Sequence, residues 1–185
     1  DAPSGGDGAT WATAYNTLQA ALAAATPGTE IWVAGGTYTG PGAGFAFAIP
    51  DGVALYGGFA GMELNRAQRV PDPTRTILTA AWGKTILKLR TVSGVVVDGF
   101  KITGGVGRGN FTHIYTISDS YHPGGGAYID DATATFRNCW FDANQASWWV
   151  PGPYPVEAGD GGAAFIRNSN VQFENCSITN RSNGL

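Results

Sequence analysis

The two cysteines of this chain stand in matching settings: Phe136-Arg137-Asn138-Cys139 and, 37 residues later, Phe173-Glu174-Asn175-Cys176. Zinc or redox chemistry calls for clustered ligands, such as a Cys-x-x-Cys pair with a histidine nearby. Each cysteine here is alone in its stretch, and the two histidines, His113 and His122, fall in a different segment. The pattern therefore predicts core residues, either reduced or bonded across a repeat, since stacked strands bring Cα atoms within disulfide range. Beside them, Asp98, Arg137 and Glu174 align as acid, base, acid. That column reads as a solvated ladder contributing roughly a few tenths of a kcal/mol per exposed pair. The remaining chemistry is aromatic. Segments 106–123 and 145–160 carry Phe111, Tyr115, Tyr121, Trp148, Trp149 and Tyr154 among Asp, His and Asn residues. Such faces stack on sugar rings or anchor a protein partner; the plainer alternative is that the two segments pack on each other as a satellite core.

Composition bounds the elements that position these residues. The 185 residues suffice for one domain with a sizeable core. Net charge is −3 and only 14% of residues are charged, which gives no footprint for nucleic acid or an anionic membrane. No apolar run approaches the ~20 residues of a membrane-spanning helix. Few lysines, many glycines and an amino terminus without an initiator Met fit an exported bacterial protein after removal of its signal peptide, or a fragment.

Within "TWATAYNTLQAALAAATPG", Tyr15, Leu18, Leu22 and Ala25 share one helical face until Pro27-Gly28 stops the run. From Glu30 onward the pattern turns to short apolar runs punctuated by Gly, Pro and Asp, which read as strands. The cysteine echo extends to a whole unit: Gly124 to Asp142 aligns without gaps on Gly161 to Thr179, and Val97 to Ile102 aligns on Phe136 to Phe141. Period-two alternation turns Phe136, Cys139 and Phe141 one way and Arg137, Trp140 and Asp142 the other. The break falls at Asn138, Asn175 and Gly99, residue types that adopt the left-handed backbone at low cost. Repeated, such a residue makes a stacked corner whose amides can bond up the stack. A β-sandwich or a propeller competes; neither explains an in-register repeat at this length. The reading is an all-β, right-handed parallel β-helix (a solenoid) with a short N-terminal capping helix.

These stretches, together with "VALYGGFAGMELNR", resemble exported bacterial right-handed parallel β-helix proteins with repeats of the chlamydial polymorphic outer-membrane-protein type. Phe141-Asp142-Ala143-Asn144 fits that family's Phe-x-x-Asn element, and "GGAAF" is a loose form of its Gly-Gly-Ala-aliphatic element. The resemblance implies export and a place at the cell envelope. It also implies a comparison with polysaccharide lyases of the same fold, in which substrate lies along a strand face. Lys88, Arg90 and Arg167 are then the candidate bases and carboxylate binders, with calcium on Asp130 and Asp131; Asp130-Asp131 also reads as a plain turn pair.

The expectations are these. Residues 1–185 form one domain, with 1–29 the cap segment and 30–185 the coils, interrupted by insertions 106–123 and 145–160. The final coil, left bare at "NRSNGL", predicts further chain or a docked subunit. The function is that of a non-catalytic, secreted, cell-surface or assembly protein that needs no cofactor and engages protein subunits or cell-surface glycans. The alternative is a carbohydrate-binding or lyase-like β-helix acting on uronate-containing glycans. Asn138, Asn175, Cys139 and Cys176 are structural in both.

Overall fold

A computed structural model of the chain describes residues 6–40, 44–81, 84–108, 124–147 and 162–179. A 3-10 turn at Trp11–Thr13 precedes α1 (Leu18–Ala24). The helix is shorter than its Ala-rich context suggests. Thr17 caps it by accepting from Ala20 N, and Ala25 has already turned to extended backbone. Tyr15 and Ala25 thus lie outside it, and only Leu18 and Leu22 plunge into the core, where α1 packs on β1 (Glu30–Ala34) and β3 (Phe45–Ala48).

Apart from a second 3-10 turn at Arg66–Gln68, the regular elements that follow are all strands. After β2 (Gly36–Gly40) and β3 come β4 (Ala54–Phe59), β5 (Thr76–Ala80), β6 (Thr85–Asp98), β7 (Lys101–Thr103) and β8 (Val106–Arg108). Then follow β9 (Ala127–Arg137), β10 (Trp140–Asp142), β11 (Gln145–Ser147), β12 (Ala164–Arg167), β13 (Asn170–Glu174) and β14 (Ser177–Thr179). Every pairing is parallel. One sheet runs β1-β4-β6-β9-β12, with β3 also on β6 and β13 also on β9; a second runs β14-β10-β7-β5-β2; a third pairs β11 with β8. The chain visits the sheets in the same order on each pass. The pairing register is the sequence repeat: Phe136 lies opposite Phe173 and Val97, and Phe141 opposite Ile178 and Ile102. The third sheet corrects the expected insertions. Val106–Arg108 and Gln145–Ser147 belong to paired strands, so each inserted segment begins three residues later than expected.

Left-handed residues turn the chain at stacked corners. One corner is Gly99 (φ 84°), Asn138 (48°) and Asn175 (52°), as the repeat predicts; another is Thr91 (54°), Asp131 (53°) and Asn168 (48°). Asn144 serves the next corner. Its side chain is buried, accepts from Gly105 N at 3.0 Å and donates to Ile102 O at 2.8 Å, which gives the Phe-x-x-Asn spacing a physical purpose.

Between the sheets, inward residues form columns, one residue per pass. Ile31, Leu55, Val97, Phe136 and Phe173 make one; Leu78, Ile102, Phe141 and Ile178 another; Leu89, Ile129 and Ile166 a third. Each fully buried member contributes about 1.5–3 kcal/mol. Close stacking also explains the glycines ahead of β9: a Cβ on Gly126 would stand 2.3 Å from Ala163 O.

Candidate functional site

Four places hold the residues singled out by sequence. The first is the Asn corner. Asn138 Nδ2 donates to Asp98 Oδ1 at 2.8 Å, and Asn138 Oδ1 accepts from Asn175 Nδ2 at 2.7 Å, so the amides do bond up the stack. The charge column needs correcting. Arg137 and Glu174 pair at 2.7 Å on the surface, but Asp98 is buried and bound by Arg69, whose guanidinium also donates to Gly57 O at 3.0 Å. Arg69 lies in the segment between β4 and β5 and folds over an outward-facing residue. Its Nη1 stands 2.9 Å from where a Cβ on Gly99 would be, so the arginine fills the place that Asn138 and Asn175 fill in later passes. Gly99 at an Asn position was the only sequence sign of it.

Beneath this corner sit the cysteines, both free thiols. Cys139 is fully enclosed and burial pushes its thiol pKa well up. Cys176 is partly open, and hydrogen bonding with the Cys139 thiol draws it down to about 7.

The second place is the outward face of β6, β9 and β12, where register stacks Arg90, Asp130 and Arg167. Arg167 grips Asp130 with two bonds, Nε to Oδ1 at 2.8 Å and Nη2 to Oδ2 at 2.7 Å. Arg90 Nε approaches Oδ2 at 3.8 Å, and the Tyr128 hydroxyl donates to Oδ2 at 3.1 Å. The Arg167 hydrogen bonds hold the Asp130 carboxyl below its usual range; burial and the Asp130 charge push Tyr128 up to about 12, so it keeps its proton at neutral pH. Lys88 sits on the same face, its Nζ 4.9 Å from the Phe45 ring centroid. Phe45, Tyr128 and Phe165 continue as an aromatic column with centroids 5.8 Å apart. Two arginines thus engage this one carboxylate, with Lys88 farther along the same face over Phe45. Asp131 is turned elsewhere by its left-handed backbone and lines an open polar groove with Thr91, Thr133, Asn168 and Asn170. Among the described residues no cluster of three or more His, Cys, Asp or Glu side chains could hold a metal.

The third place is the exit of the aromatic segments. Phe111, Tyr115, Tyr121, Trp148, Trp149 and Tyr154 lie outside the described residues. Their points of departure are described: Arg108 and Ser147 are register partners on adjacent parallel strands.

The fourth place is the last described pass, formed by β12, β13 and β14. Phe173, Ile178 and Ile166 are 37%, 56% and 44% exposed, whereas their neighbours Phe136, Phe141 and Ile129 are at most 1% exposed. Inward-facing apolar side chains here meet solvent.

The described architecture is thus α1 followed by parallel strands in register. A family model described as "Protein of unknown function (DUF1565)" matches residues 4–148. The chain belongs to this family. DUF1565 is associated with parallel β-helix proteins, which agrees with the all-parallel pairing. Its match runs from before α1 through β11, so the DUF1565 region holds Gly99 and Asn138 of the corner, the buried Asp98, and both strands from which the aromatic segments depart. The pass formed by β12, β13 and β14 lies beyond it. No curated protein and no solved structure matches the chain. No helix among the described residues of this DUF1565 protein is long and apolar enough to cross a membrane.

Proposed function

We propose that this chain is a right-handed parallel β-helix, with repeats of the polymorphic outer-membrane-protein type, that serves as a non-catalytic, exported surface or assembly component. The observation that carries the reading is the apolar face of the last described coil, which further coils of the same chain or a partner's strands would cover. Phe173, Ile178 and Ile166 continue columns whose earlier members are buried; being already about half buried, each gains about 0.5–1.5 kcal/mol on being fully covered. The cover must supply parallel strands in the same register with apolar residues at the matching positions. The aromatic segments leaving from adjacent strand ends supply a second contact of the same kind. The polar groups around Asp98 and Asn138 bond one another and are spent on holding the corner. Low charge, many glycines and few lysines support export.

The test is incorporation into the native cell-surface or multi-subunit particle. Phe173→Lys with Ile178→Lys is expected to abolish incorporation while lowering the thermal midpoint of the isolated chain by only several degrees, leaving it folded at the assay temperature. Normal incorporation of a folded double variant would overturn the reading.

A second reading is favoured by one observation, the outward face that carries Lys88, Arg90 and Arg167 beside the Phe45 and Phe165 rings, with Tyr128 and Asp130 buried beneath. That pairing suits the carboxylates and rings of uronate-containing glycans, bound or cleaved. Cleavage by elimination generates new ultraviolet absorbance on pectin or alginate; binding without it leaves the face a glycan-recognition surface. Absence of both removes this reading.

A further inference from the structure

The two cysteines occupy the same position in successive passes. Arg137 lies opposite Glu174 and Trp140 opposite Ser177, so the residues between them, Cys139 and Cys176, are stacked. Each thiol meets an equivalent pair of carbonyls. Cys139 Sγ lies 3.1 Å from Arg137 O and 3.4 Å from Val97 O, and Cys176 Sγ lies 3.4 Å from both Glu174 O and Phe136 O. Neighbouring strands in a sheet stand ~4.8 Å apart, inside the ~4.4–6.8 Å Cα separation that a disulfide spans. One thiol is sealed in the core and the other reaches solvent.

We propose that Cys176 and Cys139 form a thiol–disulfide exchange site, which takes low-molecular-weight disulfides such as oxidised glutathione and closes into a staple between the last two described passes. The Cys176 thiolate attacks one sulfur of the disulfide RSSR. A Cys176–SR bond forms and RS⁻ departs. Cys139 then attacks the Cys176 sulfur, the bond to SR breaks, and the second RS⁻ leaves and takes up the Cys139 proton. RSSR is reduced to two thiols and the protein dithiol is oxidised to a cystine, so no other oxidant is required. Burial sets the order, because only Cys176 can meet a disulfide in solution. The lowered pKa of Cys176 and the raised pKa of Cys139 support the same order.

The purified chain is incubated with oxidised glutathione and analysed by intact mass and by peptide mapping without reduction. The wild type is expected to lose both thiols, to retain no glutathione and to yield a peptide pair linking Cys139 to Cys176. Cys139→Ala is expected to hold one glutathione on Cys176, and Cys176→Ala to leave Cys139 unreacted. If a Cys139→Ala chain fails to fold, the wild-type linkage map decides alone. A wild type that remains glutathionylated at Cys176 with Cys139 free overturns the proposal. So does a covalent dimer through Cys176, or a chain whose thiols both stay reduced.

Discussion

Substitutions at Asn138 separate what its backbone does from what its side chain does. The φ of 48° places it in the left-handed region, which glycine and asparagine tolerate and where alanine is about 1 kcal/mol worse off. Its side chain makes one bond to the charged acceptor Asp98 and one to the exposed amide of Asn175. A bond to a charged group contributes about 1.5–3 kcal/mol and a neutral one about 0.5–1.5 kcal/mol, with the exposed member at the low end. Asp98 keeps Arg69, so it is not orphaned. Asn138→Gly, which keeps the corner and loses both bonds, is expected to cost about 2–3 kcal/mol. Asn138→Ala loses the same bonds and adds the backbone strain, for about 3–4 kcal/mol. At an ordinary strand position the order reverses, alanine being the better residue by about 0.5–1 kcal/mol. Urea unfolding followed by tryptophan fluorescence, compared at equal m, reads the difference directly. An alanine variant as stable as the glycine variant refutes the stacked left-handed corner.

Three further outcomes follow from the geometry. Arg69→Ala strands the buried Asp98 carboxylate and is expected to cost about 3–5 kcal/mol, with Asp98→Asn in the same background restoring part of it; calorimetry of both variants checks this. Phe136→Ala empties a fully buried site stacked between Phe141 and Phe173 and is expected to cost about 3–5 kcal/mol, whereas Phe173→Ala in the isolated chain costs about 1 kcal/mol; equal losses would contradict the open last pass. Because Asp130 has a lower pKa folded than unfolded, its contribution is full above the unfolded value near 3.8 and is lost as pH falls through the folded value. Asp130→Asn should therefore flatten the acid limb of a stability–pH profile and leave its neutral limb parallel to the wild type.

The repeat was legible because the pairing register acts on the sequence residue by residue. Phe136, Cys139 and Phe141 had to match Phe173, Cys176 and Ile178, and a left-handed residue had to recur between them. Arg69 was hidden for the converse reason. It comes from a segment with no counterpart in other passes and reaches a carboxylate 29 residues away. Alternation put Asp98 on the outside correctly, but a covering loop turned that outside into an interior. Strands β8 and β11 escaped notice because three residues containing Gly107 or Ser147 give too short a run for alternation to show. On the outward face the sequence supplied Lys88, Arg90, Asp130 and Arg167, yet only the register shows that Asp130 is gripped by Arg167 and that Asp131 belongs to another surface. Tyr128 was missed for lack of any local signal; its role depends on Asp130 two residues on.

The central claim, that the apolar face of the last described pass is covered in the native protein by further coils or by a partner's strands, is tested most directly by amide hydrogen exchange over residues 164–179. Exchange is compared between the isolated chain and the protein in its native assembly. The account predicts fast exchange in β13 and β14 of the isolated chain and a rise in protection on assembly to the level of β9 and β10. Equal exchange in the two states, with the assembly intact, contradicts it.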